Sequence, residues 1–207
     1  MKIAILFESQ TTGGGSFSHS INTCINLKKN LKKKNQFIVY TNFKNNYNTL
    51  IKLKIPSVYF RYNLIDKIII KLSKFYFFRF LTSFFSILSS LEKKLLNEKI
   101  NLIYFPVVSD TVFCLKKVKF SLTFLDTEHF KYNKFPEITK DEFNRRENLY
   151  IYSFKKSVLN IVSQLSIKKK VCSYYKIKSD KVIIIPYTPS QIINKPNKSE
   201  KINNKLK

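Results

Sequence analysis

The chain has no tryptophan, a single methionine, three glycines and three cysteines in 207 residues. Cys24, Cys114 and Cys172 are odd in number, far apart and without CxxC spacing, which leaves no basis for a disulfide framework or a zinc site and fits a reducing cytosol. Acidic residues are also scarce, with 13 Asp+Glu against 38 Lys+Arg and a net charge of +25. Such a balance suggests an anionic partner: nucleic acid, a lipid surface or a phosphorylated substrate. Abundant Lys, Asn, Ile, Phe and Tyr with few Gly and no Trp is equally what an AT-rich coding sequence produces, so charge alone decides nothing. The opening Met1-Lys2-Ile3-Ala4-Ile5-Leu6-Phe7 is too short for a signal-peptide core and runs into polar Glu8-Ser9-Gln10, so it reads as a first strand. Neither GxGxxG nor a GK[ST] ending is present, which removes the dinucleotide fingerprint and the Walker loop. No clustered acidic or His ligands suggest a metal.

What is present is a series of short apolar runs, at 3–7, 37–41, 58–60, 102–105, 122–125, 159–162 and 182–185, each the length of a strand buried on both faces. Helical spacing lies between most of them. Phe17, Ile21, Cys24, Ile25 and Leu27 follow a Ser16 N-cap and precede a lysine-rich stretch at 28–34; further helices are expected at 141–155 and, behind a Ser163 N-cap, at 164–175. Alternation of this kind predicts an α/β fold, a Rossmann-like doubly wound parallel sheet. At 44% hydrophobic, the chain can bury one core. We expect one domain over 1–190 and a polar tail over 191–207.

Ligands of such sheets bind where strands release their carboxyl ends, and both histidines follow strand ends. Gly13-Gly14-Gly15 lets backbone N–H groups approach an anion, with a helix dipole behind it; a plain tight turn is the competing reading. His19 suits capping or the surface as well as the cleft. Asp126 leaves the sheet three residues before His129, a spacing at which a carboxylate can orient an imidazole, and Glu128, Tyr132 and Glu137 add polarity. Arg145 and Arg146 sit on a helix facing either this cleft or solvent. Residues 64–96 mix Ile68-Ile69-Ile70, Phe75-Tyr76-Phe77-Phe78 and Phe84-Phe85 with Lys67, Lys71, Lys74 and Arg79. Arg79 interrupts a spanning-length run, so an interfacial membrane helix is expected in preference to a transmembrane one; core helices with a basic outer face are the alternative.

The order of these motifs resembles the N-terminal half of retaining GT-B glycosyltransferases of the family-4-like group. The features carrying the resemblance are the Gly13-Gly14-Gly15 turn, the strand ending at Asp126 with His129, Phe135-Pro136-Glu137, Arg145-Arg146-Glu147 with Tyr150, and Ser163, Tyr175 and the Lys181 to Pro186 strand. The likeness is most evident over 101–189. It implies transfer of a sugar from a nucleotide-sugar donor to a cell-surface polysaccharide or lipid-linked glycan, with no separate cofactor and no metal. Gly13, Gly14 and Gly15 would approach the donor diphosphate, His129 would hold the sugar with Asp126 orienting it, and His19, Glu128, Glu137, Arg145 and Arg146 would line the acceptor cleft. Many relatives have His directly before the Asp, where this chain has Leu125. The family's C-terminal donor-binding domain is not within these residues, which implies a fragment, a separate polypeptide completing the cleft, or lost transfer activity. A cytoplasmic protein touching the inner face of the plasma membrane through 64–96 is expected. Nucleic acid is not an expected partner, because the aromatics are not interleaved with Arg as a stacking platform; a non-enzymatic basic module binding nucleic acid or anionic membrane is the alternative function.

Overall fold

A computed structural model describes residues 1–31, 36–127, 130 and 139–187. Seven parallel strands form one sheet: β1 (Lys2–Leu6), β2 (Gln36–Thr41), β3 (Ser57–Tyr59), β4 (Leu102–Phe105), β5 (Lys119–Phe124), β6 (Leu159–Val162) and β7 (Val182–Ile184). Their order is β3-β2-β1-β4-β5-β6-β7, with Ile3 paired to both Phe37 and Leu102. The expected doubly wound α/β sheet is therefore observed.

Parallel strands need crossovers, and the helices supply them on two faces. α1 (Gly15–Asn30) and α2 (Lys44–Lys52) cover one face, where Ile21, Cys24 and Leu50 pack on Ile5, Phe7 and Val39. On the other face lie α5 (Ser90–Asn97), α6 (Lys140–Lys156) and α7 (Leu165–Tyr175), whose Leu91, Leu95, Leu149, Phe154 and Val171 enclose the larger core. The ring of Phe154 stacks on Phe124 of β5 with centroids 4.0 Å apart.

The stretch at 64–96 is three short helices: α3 (Leu64–Leu72), α4 (Tyr76–Phe84) and α5. No helix among the described residues is long and apolar enough to cross a membrane. Two buried acids fix this stretch, one closing α3 onto the start of α5 and the other tying α5 to the body of the domain. Asp66 forms a capping box with Asn63 and accepts hydrogen bonds from the backbone N–H and hydroxyl of Ser90. Glu92 Oε1 accepts from the backbone N–H groups of Lys116, Lys117 and Val118 at 2.7, 2.6 and 3.1 Å, tying α5 to the entry of β5.

Several boundaries differ from expectation. The N-cap of α1 is Gly14, not Ser16; φ of +54° at Gly14 turns the chain into the helix before Ser16, whose hydroxyl donates back to the carbonyl of Gly13. The N-cap of α7 is Gln164, not Ser163: extended backbone continues one residue further, and no side chain caps this helix. β5 begins three residues before the apolar run and ends at Phe124, because Ser121 and Thr123 are buried inside the sheet although polar.

Replacing Glu92 by Leu leaves three backbone N–H groups of the β5 entry without their acceptor. The expected loss is about 3 kcal/mol or more in denaturant unfolding, whereas Lys93→Leu, on the exposed side of the same turn, changes stability by less than about 0.5 kcal/mol.

Candidate functional site

The crossovers from β1 and from β4 leave toward opposite faces, so a crevice opens at the carboxyl ends of these two adjacent strands. Two cavities of about 580 and 540 Å³ lie along this edge, and Ser16 lines both.

The first cavity is centred on Glu8, two residues beyond β1. Tyr62, beyond β3, donates its hydroxyl to Glu8 Oε1 at 2.6 Å; Ser109, beyond β4, donates to Oε2 at 2.5 Å; Thr111 Oγ1 lies 3.2 and 3.1 Å from the two oxygens. Loops following three strands thus converge on one carboxyl group. Burial raises the Glu8 pKa above the ordinary carboxylate value, and the charge of Asp110 adds to this; the three hydroxyls pull the other way without overcoming it. The cavity wall is cationic. Lys67, Lys71 and Lys74 reach it from α3 and the turn that follows, and Arg145 from α6. Asp110 is bridged by Lys74 at 2.7 Å and Arg145 at 3.2 Å.

Arg145 also forks onto Glu142, with Nε and an Nη at 2.7 and 2.9 Å. Arg146 binds the same carboxylate at 2.7 Å and lines neither cavity. These two guanidinium groups hold Glu142 down to about 2. The sequence left the helix carrying both arginines facing either the cleft or solvent; Arg145 lines the first cavity and Arg146, its neighbour on the helix, does not. Glu147 faces away, accepting the Tyr175 hydroxyl at 2.7 Å.

The second cavity brings together Gly15, Ser16, His19, Asn22, Asp126 and Tyr187. The first-turn N–H groups of α1 have no intrahelical acceptors and carry the positive end of the helix dipole. Of the three glycines only Gly14 has a conformation that demands one; Gly15 has open space where a Cβ would go, and at Gly13 a Cβ would meet Ser16 Oγ at 3.0 Å. Burial lowers the His19 pKa, favouring neutral imidazole. Its ring meets Tyr187 edge-on at 5.0 Å, and its Nε2 is buried without a hydrogen-bond partner among the described residues. His129, Glu128 and Glu137 lie outside the described residues. Among those that are described, no group of three His, Cys, Asp or Glu is placed to hold a metal ion.

Glu8 was missed by sequence reasoning, which treated it only as the polar end of the first strand. The available signal was its position, a carboxylate just beyond the buried carboxyl end of the first strand.

No family model and no curated protein matches the sequence. Solved structures do match the fold. The chain is similar to UDP-GlcNAc 2-epimerase from Neisseria meningitidis bound to UDP-GlcNAc, at TM-score 0.56 and 16% identity over 91% of this chain and 46% of that one. It is similar to the S. aureus MnaA–UDP co-structure at TM-score 0.55 and 17% identity, over 88% and 43% of the two chains. The lipopolysaccharide outer core galactosyltransferase WaaB is also matched, at TM-score 0.49 and 15% identity over 91% and 46%. The chain thus spans less than half the length of these structures. At such identities the likeness establishes the fold, a GT-B-like Rossmann domain, in agreement with the expectation from the motifs.

Two outcomes test this geometry. Gly14→Ala is expected to lose about 1–3 kcal/mol of stability through backbone strain, while Gly15→Ala, inside the helix, stays within about 1 kcal/mol of wild type. For Glu8, the unfolded chain releases its proton in the ordinary carboxylate range and the folded chain only at higher pH. Wild-type stability therefore falls as pH rises between those two values. Denaturant titrations across that window are expected to show Glu8→Gln gaining on wild type as pH rises; a constant difference would contradict a raised pKa at Glu8.

Proposed function

We propose that this domain forms one wall of a cleft in which a nucleoside-diphosphate sugar reacts, its sugar passing to a cell-surface polysaccharide or lipid-linked glycan acceptor. The observation that carries this reading is the meeting, at the sheet's switch point, of a buried carboxyl group of raised pKa with two anion-attracting features. Lys67, Lys71 and Arg145 line the Glu8 cavity, and the Gly14 turn with the α1 N-terminus opens beside it. A diphosphate suits the latter pair: dipole, backbone N–H groups and ammonium groups would stabilise the charge that develops as the nucleotide leaves. With its pKa moved toward neutrality, Glu8 would accept the proton of the attacking hydroxyl. Asp126 and His19 would position sugar hydroxyls in the adjoining cavity; His129 takes that role in the resemblance to family-4-like enzymes.

A second reading is favoured by the same carboxyl group, which also suits removal of a proton from a sugar carbon. Of the matched structures, the Neisseria UDP-GlcNAc 2-epimerase is bound to UDP-GlcNAc and the staphylococcal MnaA to UDP. Incubation with UDP-GlcNAc in heavy water separates the two: deuterium in the recovered sugar nucleotide indicates epimerisation, and acceptor-dependent release of UDP indicates transfer.

Binding comes first. Calorimetric titration of the purified chain with UDP is expected to show saturable binding, weakened about tenfold by Lys71→Glu, corresponding to about 1.4 kcal/mol. Binding no tighter to UDP than to arbitrary polyanions, and indifferent to Lys71, would return the chain to a basic module without a nucleotide site.

A further inference from the structure

We propose that the outer side of α3 and α4 docks on an anionic lipid bilayer. On α3 the residues Leu64, Ile65, Ile68 and Leu72 are exposed, and on α4 Tyr76, Phe77, Phe80 and Phe84. Both sets follow the same i, i+1, i+4, i+8 spacing, so each is one stripe along a helix. Phe75 and Phe85 extend the α4 stripe at its two ends, and Phe77 and Phe84 are 68% and 72% exposed. Apolar surface on this scale marks an interaction site. Neither helix contributes these side chains to a core: the inner positions Asp66, Ile69 and Thr82 do that.

The charge pattern selects lipid as the occupant. The stretch at 64–96 contains two acids, Asp66 and Glu92, which are 1% and 0% exposed and accept hydrogen bonds inside the fold. Its exposed charges are therefore all positive: Lys67, Lys71, Lys93 and Lys94. Folding adds cations from elsewhere. A groove of about 420 Å³ beside α4 is lined by Tyr76 and Phe80 together with Lys116, Lys155 and Lys156 from the β5 entry and the end of α6. Arg79, by contrast, turns inward, donating to the carbonyls of Ser73 and Lys74 and lying 4.8 Å over the Phe113 ring. Aromatic side chains at the acyl boundary, ringed by lysines at headgroup level, form the pattern of an interfacial helix. Each helix has nine residues, which suits lying in the interface and not crossing it.

The opposite edge of α3 places Lys67, Ile70 and Lys71 in the Glu8 cavity. Docking would thus set the mouth of the cleft beside the membrane. The docking inference does not depend on the reaction proposed for that cleft.

The test is flotation of the full chain with phosphatidylcholine vesicles, with and without phosphatidylglycerol, in the absence of nucleotide and glycan. Binding is expected only to the anionic vesicles. Phe77→Ser with Phe84→Ser should weaken it about tenfold or more, and Lys155→Glu with Lys156→Glu at least about fivefold. All four positions are exposed, and an unchanged circular dichroism spectrum verifies folding. Absence of binding, equal binding to neutral vesicles, or anionic binding untouched by the phenylalanine variants would each overturn the proposal; in the last case the net charge alone is responsible. Capture of a protein in place of vesicles would overturn it as well. None of these results bears on UDP binding, so the two readings fail separately.

Discussion

Parallel pairing of β1 with both β2 and β4 is the constraint on which this molecule depends. Each parallel neighbour must be reached by a crossover, and the two crossovers flanking this point lie on opposite faces. Neither covers the carboxyl ends of β1 and β4. The chain leaves the sheet there through Glu8 on one side and Ser109 to Thr111 on the other, and these groups bond to each other. The cleft is therefore a product of topology, occupied by whichever polar residues follow the strands.

Buried carboxylates serve two purposes in this domain. Asp66, through both oxygens, and Glu92, through Oε1, accept from backbone N–H groups and hold a long connection in place. Glu8 receives only side-chain hydroxyls, beside the acidic Asp110. Burial raises its pKa above the ordinary carboxylate value, and the hydroxyls offset this only in part. With few acids in the chain, burying these also leaves the surface of the α3–α5 connection entirely basic.

Much of the architecture was legible locally. Each of the seven strands overlaps one of the short apolar runs, because strands buried in the middle of a parallel sheet need no polar alternation. Helix starts were less legible: Ser16 and Ser163 have the composition of N-caps, but Gly14 and Gln164 have the backbone geometry. Arg145 and Arg146 show the limit of reading neighbours together, since adjacent helical residues point about 100° apart and only one enters the cleft. Glu8 illustrates a different limit. Its partners lie 54 and 101 residues away, and no local pattern announces them.

By itself the sequence determined the fold class, the strand positions and the excess of positive charge, since periodicity and composition are properties of neighbouring residues. Tertiary structure decided which charges are exposed and which are consumed, that the carboxyl group of Glu8 sits at the switch point, and that lysines from α6 stand beside the aromatic stripe of α4. Those outcomes depend on distances between residues far apart in the chain, and distances of that kind exist only once the crossovers have closed.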